Sequence, residues 1–295
     1  MSVAIVGTGN IGTDLMEKIR RSESLELALF AGVDPDSAGI ARAESYGIPT
    51  STGGAEGVLR LEDAVDLVFE ATSAHVHRAN APKYTQAGLK VIDLTPAKIG
   101  PSVVPPVNIA VAVDNENVNL ITCGGQATVP IVAAVTDVAP VHYAEIVSAV
   151  ASESAGPGTR QNIDEFTSTT AAALETVGGA RAGKAIMILN PAAPPILMRN
   201  TVRAVVGAGV DRDAVTTSVR DMVATVGDYV PGYRLVAGPE FAELSPDEVE
   251  VSVFLEVTGA ADFLPEYAGN LDIMTAAAVS VGEMLAQREL QGDLA

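Results

Sequence analysis

The chain has 295 residues, 48% of them hydrophobic and 19% charged, and 18 basic against 37 acidic side chains give a formal net charge of −19. This composition is typical of a globular enzyme, and no apolar run approaches the ~18 residues that a membrane span requires. A negative field of this size repels nucleic acid and anionic lipid, so neither is expected as a partner. One cysteine allows no internal disulfide, and residues 1–7 lack the pattern of a signal peptide, so we expect a cytoplasmic protein.

The first forty residues carry a dinucleotide-binding fingerprint. An apolar run over residues 2–6 leads into Gly7-Thr8-Gly9-Asn10-Ile11-Gly12, and residues 13–19 have helical apolar spacing. In this loop Gly7 permits a tight turn, Gly9 lets a pyrophosphate approach, and Gly12 allows the helix to pack closely on the strand. A second apolar run is followed by Asp34, 22 residues after Gly12, where an acidic side chain binds the ribose of NAD and disfavours NADP. The fingerprint predicts NAD binding; the alternative is a purely structural turn between strand and helix.

Three more apolar runs, over residues 64–71, 90–94 and 109–113, predict further strands of a parallel sheet. Helix-like segments lie between the earlier strands, which indicates a doubly wound α/β fold with ligands at the carboxyl ends of its strands. Residues 72–75 and 95–98 follow two such ends, and they either line the cofactor cleft or only form turns. His75 and His77 have no cysteine or clustered acid near them, so no metal site is expected in this chain.

The only cysteine, Cys123, follows a short apolar run and precedes two glycines. A helix-like stretch over residues 129–138 comes next, so the sulfur is expected on a turn at a helix start, where free N–H groups and the helix dipole favour the thiolate. Read alone, a single cysteine is a small buried hydrophobe. We nevertheless expect a nucleophile, because the glycines allow a close backbone approach that a core cysteine does not need.

The second half of the chain predicts an α+β domain. Its expected strands cover residues 142–152, 185–189 and 248–259, and its expected helices cover residues 165–177 and 214–226. A loop rich in glycine and hydroxyl groups, Ser154-Ala155-Gly156-Pro157-Gly158-Thr159-Arg160-Gln161-Asn162, could hold an amide or a phosphate; the alternative is a linker. We therefore predict a Rossmann-type dinucleotide-binding domain over residues 1–122, completed by a last helix over about 270–295, and a catalytic and dimerisation domain over residues 123–269.

A dinucleotide domain combined with one cysteine on a glycine turn indicates an aldehyde dehydrogenase that works through a thioester. Three hypotheses differ in what happens to that sulfur. Coenzyme A could accept the acyl group; phosphate could accept it, as in semialdehyde dehydrogenases, but the single downstream histidine, His142, lies in a predicted strand and suits a base poorly. In a non-catalytic NAD-binding redox sensor, Cys123 would instead be oxidised reversibly.

Several longer runs resemble the acylating acetaldehyde dehydrogenases of aromatic and sterol meta-cleavage pathways. The runs are GTGNIGTDLM at 7–16, ITCGGQATVPIV at 121–132, SAGPGTRQNIDEFT at 154–167, ILNPAAPP at 188–195 and GNLDIMTAAA at 269–278. The resemblance implies that Cys123 carries an acyl thioester, that coenzyme A accepts the acyl group, and that residues 8–11, the loop over 154–162 and Asn270 bind NAD. It also implies a partner, a metal-dependent 4-hydroxy-2-oxovalerate aldolase that passes the aldehyde through a tunnel and holds the metal.

One position departs from that family pattern. The family has a carboxylate in its Met-Arg-Asp-Thr run, whereas this chain has Met198-Arg199-Asn200-Thr201. Asn200 is still expected at the active site, where it could orient the cysteine, a water or the coenzyme. An amide cannot act as a general base, so the helix terminus is expected to activate the thiol and the pH optimum is expected to be higher.

Overall fold

A computed structural model describes residues 1–61, 64–156, 160 and 163–292 of the chain. The first half alternates strands and helices: β1 Ser2–Val6, α1 Asn10–Ile19, β2 Glu26–Ala31, α2 Ala38–Ser45, β3 Thr50–Ser51, α3 Ala55–Leu59, β4 Leu67–Glu70, α4 Ala74–Gln86, β5 Lys90–Asp93, α5 Pro105–Asn108 and β6 Asn117–Asn119. The second half contains α6 Cys123–Thr136, β7 Val141–Ala151, α7 Ile163–Thr176, β8 Gly183–Asn190, β9 Met198–Gly207, α8 Arg212–Tyr229, β10 Tyr233–Ser245, β11 Glu248–Val257 and α9 Gly269–Leu290.

The first six strands form one parallel sheet in the order β3-β2-β1-β4-β5-β6. This order is the doubly wound arrangement of dinucleotide-binding domains, in which a crevice opens at the carboxyl ends of β1 and β4. Strands β1 and β4 are buried almost throughout, as expected for parallel strands covered on both faces. The predicted Rossmann-type fold is confirmed.

The strand predicted over residues 109–113 is wrong. Residues Ile109–Ala112 form a turn of 3₁₀ helix directly after α5, and the sixth strand of the sheet is Asn117–Asn119. A short apolar run does not reveal whether it is a strand or a buried helical segment, because both bury their side chains. Here two prolines at the start of α5 favour a helical turn, and the apolar residues that follow continue it.

The five remaining strands form a second, mixed sheet in the order β10-β11-β9-β7-β8, in which only β7 and β8 are parallel. One face of this sheet packs on α6, α7 and α8. The alternation predicted for β11 is confirmed, because Val249, Val251, Val253 and Leu255 are all buried in that core. The second domain is thus α+β, as expected.

The C-terminal helix α9 packs against α1 and joins the core beneath the first sheet through Met274, Ala277, Val281 and Leu285. A buried Lys18 on α1 fixes the two helices together, since its Nζ lies 2.9 Å from Asp14 Oδ2 and 2.6 Å from Asp272 Oδ1. The last helix was expected over about 270–295; it ends at Leu290, and residues 293–295 lie outside the described part of the chain. Among the described helices, none combines the length and the apolar composition needed to cross a bilayer.

Candidate active site

A cleft of about 350 Å³ lies at the carboxyl ends of β1, β4 and β5, where the two sheets and α9 meet. Its lining combines the glycine loop, the ends of β4 and β5, the start of α6, the segment after β7 and the start of α9. The lining residues include Gly9, Asn10, Ile11, Thr72, Ser73, Ala74, Thr95, Pro96, Cys123, Glu153, Ser154, Gly156, Phe166, Asn270, Leu271 and Met274. The turns after β4 and β5 thus line the cleft up to Ala74 and Pro96, whereas His75 is not among the lining residues.

The glycine loop leaves room for a ligand at one position only. Gly7 has φ +119°, and a Cβ there would lie 2.4 Å from the Ala71 carbonyl oxygen, while a Cβ on Gly12 would lie 1.8 Å from the Gly7 carbonyl oxygen. These two glycines are therefore required by the fold itself. A Cβ on Gly9 would meet nothing within 4 Å, so the loop holds an open cradle that faces the cleft.

The cradle lies at the start of α1, which has no side-chain cap at Gly9. Uncapped backbone N–H groups at a helix start bind a phosphate through hydrogen bonds and the helix dipole. Thr8 and Gly12 belong to the same loop but are not lining residues of the cleft. The residues present fit the pyrophosphate of a dinucleotide.

Asp34 lies three residues beyond the end of β2. Its side chain is exposed, and its Oδ1 accepts a hydrogen bond of 3.0 Å from the Asp36 backbone N–H. It does not line the described cleft, so its contact with a ribose stays a prediction. The end of β2 does adjoin the loop, because a Cβ on Gly32 would meet the Thr8 side chain at 2.6 Å.

Cys123 is the first residue of α6, and Thr122 is the N-cap whose Oγ1 accepts from the Gly125 N–H at 2.9 Å. Thr170 Oγ1 lies 2.7 Å from the same hydroxyl, which ties the cap to α7. Ile121 has φ +64°, a left-handed conformation that is rare for a β-branched residue and costs about 1–3 kcal/mol. The predicted placement of the sulfur at a helix start is confirmed, and a strained turn delivers it there.

The prediction that the helix start makes Cys123 a thiolate is wrong for the protein without ligands. The sulfur is partly exposed to the cleft but enclosed by apolar neighbours, and this burial raises the pKa of the Cys123 thiol to about 12. The N–H groups of Cys123 and Gly124 pull the pKa the other way and do not compensate. Desolvation of a charged sulfur therefore exceeds the effect of the helix start.

We expect Cys123 to react slowly with iodoacetamide at pH 7.5 and about tenfold faster for each pH unit up to pH 10, because only the thiolate reacts. Intact-mass spectrometry follows the reaction cleanly, since the chain has one cysteine. NAD⁺ should accelerate the alkylation, because a pyridinium cation near the sulfur stabilises its anion. A rate that is fast at pH 7.5 and independent of pH would contradict the raised pKa.

The loop after β7 contributes Ser154 and Gly156 to the cleft. Ala155 is buried, and the Arg160 guanidinium turns back to the carbonyl oxygens of Ser152 and Ala155 at 2.6 and 3.1 Å. Arg160 is thus engaged with its own loop and is not a cleft-lining cation. Pro157, Gly158, Thr159, Gln161 and Asn162, which the sequence also suggested for NAD, lie outside the described residues.

Asn270 lines the cleft and carries an unpaired polar atom. The residue is 2% exposed, its Nδ2 donates weakly to the Ser154 carbonyl oxygen at 3.5 Å, and its Oδ1 has no partner. A buried acceptor without a donor costs about 1–3 kcal/mol, which a ligand N–H at this point would recover. This orphaned oxygen fits the carboxamide of a nicotinamide.

Asn200 is not among the lining residues of the cleft. It lies on β9 opposite Ser148 of β7, whose Oγ donates to Asn200 Oδ1 at 2.6 Å, while Asn200 Nδ2 has no partner. Ser148 in turn contacts the start of α6, because a Cβ on Gly124 would lie 3.3 Å from Ser148 Oγ. Asn200 thus lies behind Ser148, beneath the start of α6, and its expected role at the active site stays a prediction.

Phe166 is the main lining residue that the sequence did not single out. Its ring covers the backbone beside the cysteine, because a Cβ on Gly124 would lie 2.7 Å from Phe166 Cζ. An aromatic residue on an amphipathic helix is normally a core residue, so periodicity alone could not have assigned it to the cleft. Together with Ile121, Leu271 and Met274 it gives the lining of the cleft an apolar part.

Fold and cleft together are those of a two-domain nicotinamide-dependent dehydrogenase with a cysteine at the ligand site. Comparison with known families agrees. Residues 2–115 match the NAD-binding domain of semialdehyde dehydrogenases, and residues 123–265 match the dimerisation domain of prokaryotic acetaldehyde dehydrogenase.

Close relatives match over nearly the whole chain. Acetaldehyde dehydrogenase 3 of Rhodococcus opacus (strain B4) is 57% identical over 98% of this chain and 97% of its own. Acetaldehyde dehydrogenase 1 of Mycobacterium sp. (strain KMS) and a propanal dehydrogenase (CoA-propanoylating) of Mycobacterium bovis (strain BCG / Pasteur 1173P2) are each 56% identical over 98% of this chain and 96% of their own. The chain belongs to the prokaryotic acetaldehyde dehydrogenase family.

Proposed function

We propose that this protein oxidises a short aldehyde with NAD and coenzyme A to the acyl-CoA and NADH. The observation that carries the proposal is the position of Cys123, at a helix start that opens into a cleft shared with the glycine loop. The relatives named as acetaldehyde and CoA-propanoylating propanal dehydrogenases support the same activity. The apolar part of the cleft lining suits a small alkyl group.

The proposed chemistry begins at the sulfur of Cys123. The thiolate adds to the aldehyde carbonyl carbon, and the π electrons of the carbonyl move to its oxygen, which becomes an oxyanion held near the N–H groups that start α6. NAD, when bound, would supply the hydride acceptor. Loss of the hydride from the oxyanion adduct leaves an acyl thioester on Cys123, and attack by the coenzyme A thiolate releases acyl-CoA and restores the Cys123 thiolate.

Three groups of this chain are proposed to hold NAD. The pyrophosphate would lie against Gly9, Asn10 and Ile11, in a loop completed by Thr8 and by the fold-supporting Gly7 and Gly12. Asp34 would bind the ribose. Ser154, Gly156 and Asn270 would bind at the nicotinamide end, supported by the unpaired Asn270 Oδ1. The acceptor test is direct: continuous NADH formation should require both aldehyde and coenzyme A, whereas aldehyde alone should yield at most one NADH per cysteine. Formation with phosphate in place of coenzyme A would favour a semialdehyde-type dehydrogenase instead.

Asn200→Asp tests what a carboxylate behind the cysteine would do. The new carboxylate would accept a hydrogen bond from the Ser148 hydroxyl. As a base acting through that hydroxyl, it should withdraw the proton of the Cys123 thiol at lower pH. We expect the acid limb of the kcat/KM profile of Asn200→Asp to move about one pH unit below that of the native chain. Asn190→Asp, a half-buried amide outside the cleft, adds the same charge as a control. Superimposable profiles for Asn200→Asp and the native chain would contradict a role for position 200.

We propose a homodimer formed through the second sheet, as the match to a dimerisation domain supports. Side chains on one face of β9 are buried, whereas those on the other face are exposed or half-exposed. Ile188 on β8 and Val236 on β10 are exposed to 44% and 53%, which a partner copy could cover. Sedimentation should give twice the mass of the chain.

We also propose that the two domains divide between residues 122 and 123, with α9 packed on the first domain. A cytoplasmic location is proposed as well, because it suits an unpaired cysteine.

The proposal of an aldolase partner rests on the family resemblance alone. Its test is co-purification from the native host followed by an assay for 4-hydroxy-2-oxovalerate cleavage. Copurified aldolase activity would support the complex, and recovery of the dehydrogenase without it would count against the complex.

A further inference from the structure

A buried cluster of charged side chains lies directly beneath the floor of the cleft. His77 of α4 is fully buried between Glu70 at the end of β4 and Asp93 at the end of β5. Its Nδ1 lies 3.7 Å from Glu70 Oε2 and its Nε2 lies 3.6 Å from Asp93 Oδ2. Asn117 Nδ2 lies 3.1 Å from the same Nε2, and a half-turn of this amide would present its unpartnered Oδ1 to a protonated ring. None of these side chains has a role in the chemistry described above.

The Glu70 carboxylate lies among three hydrogen-bond donors. It accepts from the Tyr84 hydroxyl at 2.9 Å, from Asn80 Nδ2 at 3.3 Å and from the Thr72 hydroxyl. A buried carboxylate calls for a cation beside it, and His77 is the neighbouring group that can supply one.

Asp93 is surrounded by donors on both oxygens. Its Oδ1 accepts from the Thr95 N–H at 2.7 Å, and its Oδ2 accepts from Asn119 Nδ2 at 2.8 Å. Burial raises the pKa of Asp93 to about 6, and His77, Thr95 and Asn119 limit that rise. A proton on either oxygen would face a donor, so the arrangement requires the carboxylate form.

Asn119 connects Asp93 to the turn before the cysteine. Its Nδ2 also donates to the Thr95 carbonyl oxygen at 2.8 Å, and its Oδ1 accepts from the Ile121 N–H at 2.8 Å. Ile121 is the residue with φ +64°, two positions before Cys123. A strained residue keeps its conformation only where surrounding contacts hold it, and this hydrogen bond is such a contact.

We propose that the chain of contacts from His77 through Asp93 and Asn119 to Ile121 positions Cys123 for acylation, with His77 in its protonated form. The expected change in turnover rests on the proposed function, whereas the expected changes at the Ile121 amide and in the His77 ring do not. His77, Asp93 and Asn119 are positioning residues, because they act on the sulfur through the Ile121 turn. Although burial opposes the charged ring, Glu70 and Asp93 together raise the pKa of His77 above its ordinary value.

His77→Gln removes the cation and should let Asp93 take up a proton at neutral pH. We expect kcat at pH 7.5 to fall at least about tenfold, with the KM for NAD within about threefold of the native value, because the glycine loop is untouched. The loss should diminish at higher pH as Asp93 ionises, so the acid limb of the kcat profile moves at least about one pH unit upward. A merely structural histidine would not move that limb. His75→Gln is the matched control, since His75 is exposed on the same helix and does not line the cleft.

Two further measurements do not depend on turnover. Hydrogen exchange at the Ile121 amide should accelerate at least about tenfold in His77→Gln and stay unchanged in His75→Gln, because the acceptor on Asn119 is released. In the unaltered chain, ¹⁵N spectra of labelled histidine should show His77 as an imidazolium at pH 7.5. A neutral His77 in that spectrum, or an unshifted kcat profile in a folded His77→Gln, would overturn the inference. Should the native chain prove inactive on aldehydes, the exchange and ¹⁵N results still decide it.

Discussion

Replacing Cys123 by alanine should lower aldehyde-dependent NADH formation by about 10⁴-fold or more, because the chain has one cysteine and a thioester requires a thiol. Alanine occupies the same helix start without strain, since the position begins α6 in a helical conformation. The Thr122 cap does not involve the sulfur, so the free energy of unfolding should change by less than about 1 kcal/mol. NADH affinity should be preserved. The measurement is a steady-state assay paired with an NADH fluorescence titration.

Cys123→Ser supplies the matched control for size and polarity. Its hydroxyl fits the same space but is scarcely ionised at neutral pH, so its activity should be almost as low as that of the alanine variant. Turnover of either variant above about a thousandth of the native rate would contradict covalent catalysis by this cysteine. Loss of NADH binding along with turnover would instead point to a structural defect.

Replacing Gly9 by alanine should weaken NADH binding at least about tenfold without affecting the fold. Gly9 has φ −79° and ψ −166°, a conformation that alanine adopts without strain, and the new methyl group would meet nothing within 4 Å in the protein. Its methyl group would occupy the space that we assign to the pyrophosphate, and a close backbone approach would be lost. Calorimetric titration with NADH measures the effect.

Gly227→Ala is the control, because it adds a methyl group in equally open space on α8, far from the glycine loop. It should leave NADH affinity unchanged and raise the free energy of unfolding by up to about 1 kcal/mol, as expected inside a helix. Unchanged NADH affinity in Gly9→Ala would show that the cofactor does not approach the chain at this point.

The strength of local patterns decided how much could be predicted. The glycine loop was predictable because backbone clashes at Gly7 and Gly12 leave no other residue possible there, and the alternation in β11 followed from one buried face. The strand expected over residues 109–113 failed because an apolar run carries no periodicity that separates strand from buried helical turn. The sixth strand, Asn117–Asn119, is instead polar and short.

The position of the site was predictable from the sequence, but the pKa of its cysteine was not. The sequence locates Cys123 at a helix start, but the balance between the helix dipole and desolvation depends on how closely the cleft walls enclose the sulfur. Likewise the position of Asn200 behind Ser148 follows from the pairing of β7 with β9, which residues far apart in sequence determine together. The surroundings of His77 could not be predicted from the sequence, because the acids beside it come from two different strands.

The most direct test of the account is the mass of the protein after incubation with acetaldehyde and NAD⁺ in the absence of coenzyme A. With one cysteine in the chain, an adduct can be assigned without ambiguity by peptide mapping. We predict the gain of one acetyl group on Cys123, and its complete removal, with release of acetyl-CoA, when coenzyme A is added. An unmodified chain that nevertheless forms NADH, or a sulfur that gains only oxygen, would contradict the account.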